Sequence, residues 1–185
     1  MTLRIARYGY GLLGAVVVAI AITTSGCHME NPDAPTPSTD TAKALDELKS
    51  LPSLEDTQTA VQNAMNEITT TATKVNPAIS WLPMHGESTG NCEAPYDQSD
   101  GKRIFLPDLV AEGAQLSESD WATILAAAKE SAAKVGATEV QVMRDQPGNH
   151  DVGFYGPTGI FIKIAYKGNL VVSGYTGCRL PQDKK

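Results

Sequence analysis

The sequence predicts an α+β fold, with helices packed on one face of a curved antiparallel β-sheet of about four to six strands in a single two-layer domain. Three observations predict it. Two segments, ending near residues 75 and 135, carry apolar residues at helical spacing. After residue 138 the apolar residues recur every second position instead. Turns rich in Gly, Asn and Pro separate those later segments, and short turns between consecutive strands imply antiparallel neighbours.

The domain is expected over residues 41–185, and about 145 residues is an ordinary size for one core. Its first element is a short helix from Thr41 to Lys49, ended by Pro52. Ser53-Leu54-Glu55-Asp56 then has the form of a capping box, a hydroxyl and an acid three residues apart that satisfy the first free amides of a helix. Val61, Ala64, Met65, Ile68, Ala72 and Val75 follow on one helical face, and Asn76-Pro77 stops the helix. A second long helix starts at Ser117-Glu118-Ser119-Asp120 and puts Trp121, Ile124, Leu125, Ala128, Ala132 and Val135 on one side. Acids in its first turn, Lys129 and Lys134 later, and Gly136 at its end suit the helix dipole and a glycine cap. A tryptophan in register with an aliphatic stripe reads as core rather than as a ligand-stacking ring.

Ile79-Ser80-Trp81-Leu82 and Arg103-Ile104-Phe105-Leu106 read as short strands between the helices. Val140 and Val142 share one strand face, Ile160, Ile162, Ile164 and Tyr166 another, and Leu170 to Tyr175 closes the set. Cys92 falls in the polar loop "GESTGNCEAPYDQSDGK", and Cys178 follows the last strand.

Ahead of the domain, residues 1–26 have the layout of an export leader: Arg4 and Arg7, then an uncharged apolar run from Leu12 to Ile22, too short to span a bilayer comfortably. Thr24-Ser25-Gly26-Cys27 closes it and resembles the lipobox of bacterial lipoproteins. There a thiol takes a diacylglycerol and small residues admit the peptidase. The resemblance makes Cys27 the lipidated residue. Thr24 stands where a leucine-like residue is usual, which leaves room for slower or partial processing. A plain secretory leader beside an accidental cysteine, or an uncleaved anchor, is the competing reading.

The chain has three cysteines, an odd number for an exported protein. With lipid on Cys27, Cys92 and Cys178 remain, and an oxidising envelope favours a disulfide between them, worth about 4 kcal/mol in the chain-entropy model. Two free buried thiols, or a Cys/His pair, are the alternatives. Residues 27–40 read as the lipidated cysteine followed by a tether: Pro32, Pro35 and Pro37 favour extended conformations, with a reach of roughly 40 Å at about 3.1 Å per residue. Loss of Arg4 and Arg7 with the leader makes the remainder more acidic than the full chain's net −6. An acidic domain is repelled by phosphate backbones and anionic headgroups, which argues against nucleic-acid partners and leaves membrane attachment to the acyl chains.

The chemistry-bearing residues form no familiar cluster. The three histidines, His28, His85 and His150, stand at no ligand spacing, and the sequence has no HExxH, CxxC or glycine-rich phosphate loop, so no cofactor, metal site or catalytic residue is expected. A Ser88, His85 and Asp151 hydrolase is imaginable, but no G-x-S-x-G marks the serine. The most site-like stretch is Trp81-Leu82-Pro83-Met84-His85-Gly86, where Trp81, Met84 and His85 are candidate ligand-binding residues for an apolar pocket; a buried strand running into a loop explains it as well.

At Ser173-Gly174-Tyr175-Thr176-Gly177-Cys178-Arg179-Leu180-Pro181, with the lipobox and the "SDWATILAAAKESAAKVGAT" helix, the chain resembles the LppA and LppV lipoproteins of mycobacteria. The resemblance implies an envelope lipoprotein with one small α+β domain, anchored to the cytoplasmic membrane and facing outward. It gives roles to Cys27, Cys92 and Cys178 and supplies no enzymatic motif. A non-catalytic domain binding an envelope protein, a wall component or a small apolar ligand is therefore expected. A lipid or glycolipid carrier with a pocket between sheet and helices is the alternative, and a weak hydrolase using His85 or His150 comes third.

Overall fold

The computed structural model describes residues 38–185, all within the compact unit Pro35–Lys185. The expected leader, Cys27 and the tether as far as residue 37 lie outside the described residues.

Three helices form where spacing and caps direct them. Helix α1 runs Ser38–Ser50, three residues ahead of its expected start, with Asp40 in its first turn and Lys49 in its last, each at the end where the dipole favours it. Helix α2 is Leu54–Val75; Ser53 caps it, Oγ accepting from the Asp56 amide at 3.0 Å. The complete capping box forms at α3, Glu118–Lys134, where Ser117 Oγ accepts from the Asp120 amide and Asp120 Oδ2 accepts from the Ser117 amide. Ser117→Ala removes both the acceptor and the reciprocal geometry. It is expected to lower unfolding stability by about 1 kcal/mol, read as a shift of the urea midpoint at constant slope.

Eight strands follow the expected antiparallel pattern: β1 Leu82–Met84, β2 Ser88–Asn91, β3 Lys102–Phe105, β4 Asp108–Ala111, β5 Glu139–Gln146, β6 Asn149–Tyr155, β7 Phe161–Lys167 and β8 Asn169–Tyr175. The sequence anticipates fewer because two strands are each broken in the middle. β1 and β2 pair with β4 and β3 respectively, so residues 82–91 and 102–111 make one long hairpin interrupted at His85-Gly86-Glu87 and at Leu106-Pro107. His85 has φ +61°, a left-handed turn that takes the chain out of the ladder. Proline has no amide to donate, which accounts for the break at Pro107. Both β3 and β4 line β8, and β7, β6 and β5 complete the sheet. Two expectations shift accordingly: the first strand begins at Leu82 rather than Ile79, and part of the expected polar loop, Ser88–Asn91, is strand.

Helices α2 and α3 cover one face. Val61, Met65, Ile68 and Ala72 of α2 and Trp121, Ile124, Ala128 and Ala132 of α3 meet Val152, Phe154, Ile162, Ile164, Leu170 and Val172 in the main core. Each fully buried large side chain there contributes about 1.5–3 kcal/mol relative to exposure. The helix–sheet approach is close at Gly174: a Cβ would meet Val61 Cγ1 at 2.9 Å and Met65 Sδ at 3.0 Å. The opposite face carries a row of rings across β3, β8, β7 and β6: Phe105, Tyr175, Phe161 and Tyr155, with successive centroids 5.3, 4.7 and 4.7 Å apart.

Helix α1 packs elsewhere. Leu48 joins Cys92, Cys178 and Leu180 in a second, smaller core, with Leu45, Leu51 and Tyr96 against it. The Cys92–Cys178 disulfide forms, with an S–S distance of 1.97 Å and a sequence separation of 86. Gly101 is required beside it, since a Cβ there would lie 2.7 Å from Cys178 Sγ.

Candidate functional site

Of the three residues singled out in the sequence, Trp81 is partly buried and Met84 and His85 are exposed. Trp81 is half-buried against the main core and its Nε1 donates to Thr73 Oγ1 at 3.1 Å. Met84 ends β1 at 42% exposure, and His85 is exposed, its Nδ1 3.5 Å from Asp108 Oδ2. The imagined Ser88, His85 and Asp151 grouping is not assembled. Ser88 lies on β2 and Asp151 on β6, separated by β3, β8 and β7. Four ladder steps of about 4.8 Å put roughly 19 Å between the two strands, and the register sets Ser88 level with Tyr155 rather than Asp151. Asp151 pairs with Lys163 at 3.0 Å instead.

His150 is buried and fully engaged. Its Nδ1 is 2.9 Å from Asp145 Oδ1, its Nε2 is 3.1 Å from Glu118 Oε2, and its ring stacks on Trp121 with centroids 4.6 Å apart. Glu118 also accepts from the Gly148 amide at 2.8 Å, which ties the β5–β6 turn to the start of α3. These contacts make His150 a joint between helix and sheet.

The site-like feature is a cleft of about 710 Å³ where the α1–α2 link, the end of α3 and the turn after β6 meet. Leu51, Pro52, Ala60, Val135, Pro157 and Ile160 give it apolar walls. Local sequence explains the opening: Pro52 ends α1 before Ser53 starts α2, and Gly136, at φ +82°, turns the chain out of α3.

One cation is set into this lining. Arg179 is 4% exposed, and its Nη1 donates to Thr158 Oγ1 and to the Cys178 carbonyl. Among the described residues its buried Nε has no hydrogen-bond partner. Burial holds its pKa below the ordinary guanidinium value, while Tyr96 and Glu47 pull it back up. Tyr96 donates its hydroxyl to Glu47 Oε2 at 2.9 Å, and burial followed by that carboxylate pushes its pKa up to about 12.

Two other hollows differ in kind. A groove of about 600 Å³ between α2 and α3 is polar, and its groups satisfy one another: Glu67 Oε2 accepts from Lys134 Nζ at 2.8 Å and from Ser131 Oγ at 2.7 Å. Those two hydrogen bonds lower the Glu67 pKa from 4.5. A depressed carboxylate adds stability above its unfolded value, and that stability fades as pH falls through the folded value. Stability measured from pH 6 down to pH 3 is therefore expected to fall less in Glu67→Gln than in the parent. The second hollow, about 310 Å³, lies between α3 and β5, lined by Leu125, Val140, Val142 and Phe154. Val140 and Val142 share a face as expected and remain 48% and 57% exposed in this hollow.

Sequence reasoning missed Arg179. The signal was a lone arginine within the apolar, cysteine-bearing end Gly177-Cys178-Arg179-Leu180-Pro181.

Fold and disulfide define a two-layer α+β domain of the kind carried by exported proteins. The model of the LppA family, described as a lipoprotein confined to pathogenic Mycobacterium, matches residues 29–182, so this chain belongs to the LppA family. Membership implies a membrane-anchored envelope protein, and among the described residues no helix is long and apolar enough to cross a membrane. The crystal structure of LppA from Mycobacterium tuberculosis shares the fold, at 18% identity and a TM-score of 0.50 over 77% of this chain and 86% of that one. A DUF4853 family protein from Actinomyces odontolyticus aligns at 15% identity and a TM-score of 0.42, over 75% and 74% of the two chains. Comparison with curated protein sequences gives no match.

Proposed function

We propose that this LppA-family lipoprotein is a non-catalytic binding domain, held on the extracytoplasmic side of the cell membrane by acyl chains on Cys27, that takes a small apolar or amphipathic ligand in the cleft beside Arg179. The supporting observation is the cleft itself, whose roughly 710 Å³ and apolar walls have the scale and character of small-molecule sites. A lipid or glycolipid carrier would use the same cleft. Two long acyl chains, at about 0.8 kcal/mol per buried methylene, hold such a domain stably at the bilayer, and the proline-rich tether sets it off from the surface.

Uncharged N-phenylnaphthylamine, which brightens in apolar surroundings, tests the cleft. Addition of the full chain is expected to raise its emission, and Ala60→Trp, which fills the cleft from the half-buried face of α2, to abolish the rise. Equal emission from both proteins would remove the cleft as the site. A second reading, docking of an envelope protein, is favoured by β5, an edge strand exposing Val140, Val142 and Met143. Under that reading Val142→Lys weakens cross-linking to the partner and leaves dye uptake unchanged.

A further inference from the structure

We infer that the cleft selects an amphiphile with a single anionic head, a carboxylate or a phosphate, bound by Arg179 with the apolar chain along the walls; this rests on the cleft being the binding site. A guanidinium remains protonated at physiological pH. Taking such a charge out of water costs several kcal/mol unless a counter-ion and complete hydrogen bonding offset it. Among the described residues, Arg179, at 4% exposure, has neither. Its acceptors, Thr158 Oγ1 and the Cys178 carbonyl, are both neutral, and its Nε is buried without a partner. Glu47 attracts it from beyond ion-pair distance, and the Glu47 carboxylate already accepts from Tyr96. An uncompensated cation with unused donor capacity thus sits in the lining of an apolar cleft.

The other charges of the lining do not substitute for a ligand. Lys134 is held by Glu67 at 2.8 Å, and Asp56 is exposed, where water and salt screen it. The whole chain is acidic, at net −6, so its long-range field repels anions and any preference for one must be local. The apolar walls argue against a bare inorganic anion, which would leave the half-buried Leu51 and Val135 facing water. A fatty carboxylate and a lysophospholipid headgroup share the required chemistry.

The test uses the full chain purified in an uncharged detergent and native mass spectrometry with three probes: palmitate, palmitoyl lysophosphatidate and the uncharged glycerol monopalmitate. Both anionic probes, or one of them, are expected to be retained about ten-fold better than the glycerol ester, as a charge-assisted hydrogen bond from arginine allows. Which of the two is retained assigns the head as carboxylate or phosphate. Arg179→Met is expected to bring anionic retention down to the neutral level. Because Arg179 also ties Thr158 to Cys178, Ala60→Phe is measured beside it; with Arg179 intact and the cleft narrowed, it lowers retention of all three probes. Equal retention of charged and neutral probes, or anionic retention unchanged in a folded Arg179→Met, overturns the inference and leaves the cleft as a binding site. Retention of none of the three overturns both.

Discussion

Replacing Cys92 and Cys178 together by serine is expected to lower the thermal midpoint by about 10–15 °C. The bond closes a loop of 86 residues, and the chain-entropy model assigns such a closure about 4–5 kcal/mol at 25 °C. For a domain near 150 residues each kcal/mol moves the midpoint by about 2–4 °C. The loss is local as well as global. Both sulfurs belong to the small core that holds Leu48 of α1 and Leu180, and the loop containing Cys92 crosses from β2 to β3 with Tyr96 packed on that core. Proteolysis of the double variant is therefore expected to cut first in residues 92–101 and near α1, while the sheet of β6, β7 and β8 stays protected. A midpoint unchanged after reduction would mean that the second core holds without its covalent tie.

Trp121→Ala is expected to cost about 3–5 kcal/mol, the usual penalty for emptying a large aromatic site. Trp121 is 4% exposed and packs against two rings that face each other across β6 and β7, His150 at 4.6 Å and Tyr166 at 6.5 Å between centroids. The Tyr166 hydroxyl donates to the Ala114 carbonyl and accepts from the Leu116 amide, which positions the approach to α3. Removing the indole opens this joint and lets water reach His150 between its two carboxylates. Trp121→Phe keeps most of the stacking and is expected to recover more than half of the loss in a urea titration. Trp121 is not part of the cleft lining, so folded Trp121→Phe retains dye uptake; a specific loss of uptake at full stability would support the ligand-stacking role instead.

The helices were legible because one face of each was repeated and capped. Val61, Ala64, Met65, Ile68 and Ala72 are all buried, and Ser53 caps α2 as its spacing implies, although the reciprocal box forms at Ser117 and Asp120 of α3 instead. The strands β7 and β8 were legible for the same reason: alternate residues such as Ile162, Ile164 and Tyr166 face the core, and the turn between them is short. The outer hairpin was harder to read because its pairing is long-range and broken. In β2, Ser88-Thr89-Gly90-Asn91 has no apolar alternation, and its place is set by β3 rather than by its own composition. Trp81 looked like a pocket residue because its neighbours are Pro and Met; tertiary packing placed its indole against α2 through Thr73. The cleft was not legible at all, since Leu51, Val135, Pro157 and Arg179 come from four separate parts of the chain. The disulfide was legible from the count of three cysteines together with an oxidising compartment, once Cys27 was assigned to lipid.

In the proposed reading that assignment also holds the domain at a membrane, and labelling tests it most directly. Cells producing the full chain, or its Cys27→Ala version, are fed a palmitate analogue, and label and membrane fractionation are read together. Label and membrane retention are expected with Cys27 and absent without it. Both proteins unlabelled and equally soluble would contradict the lipid anchor and the membrane-facing role built on it.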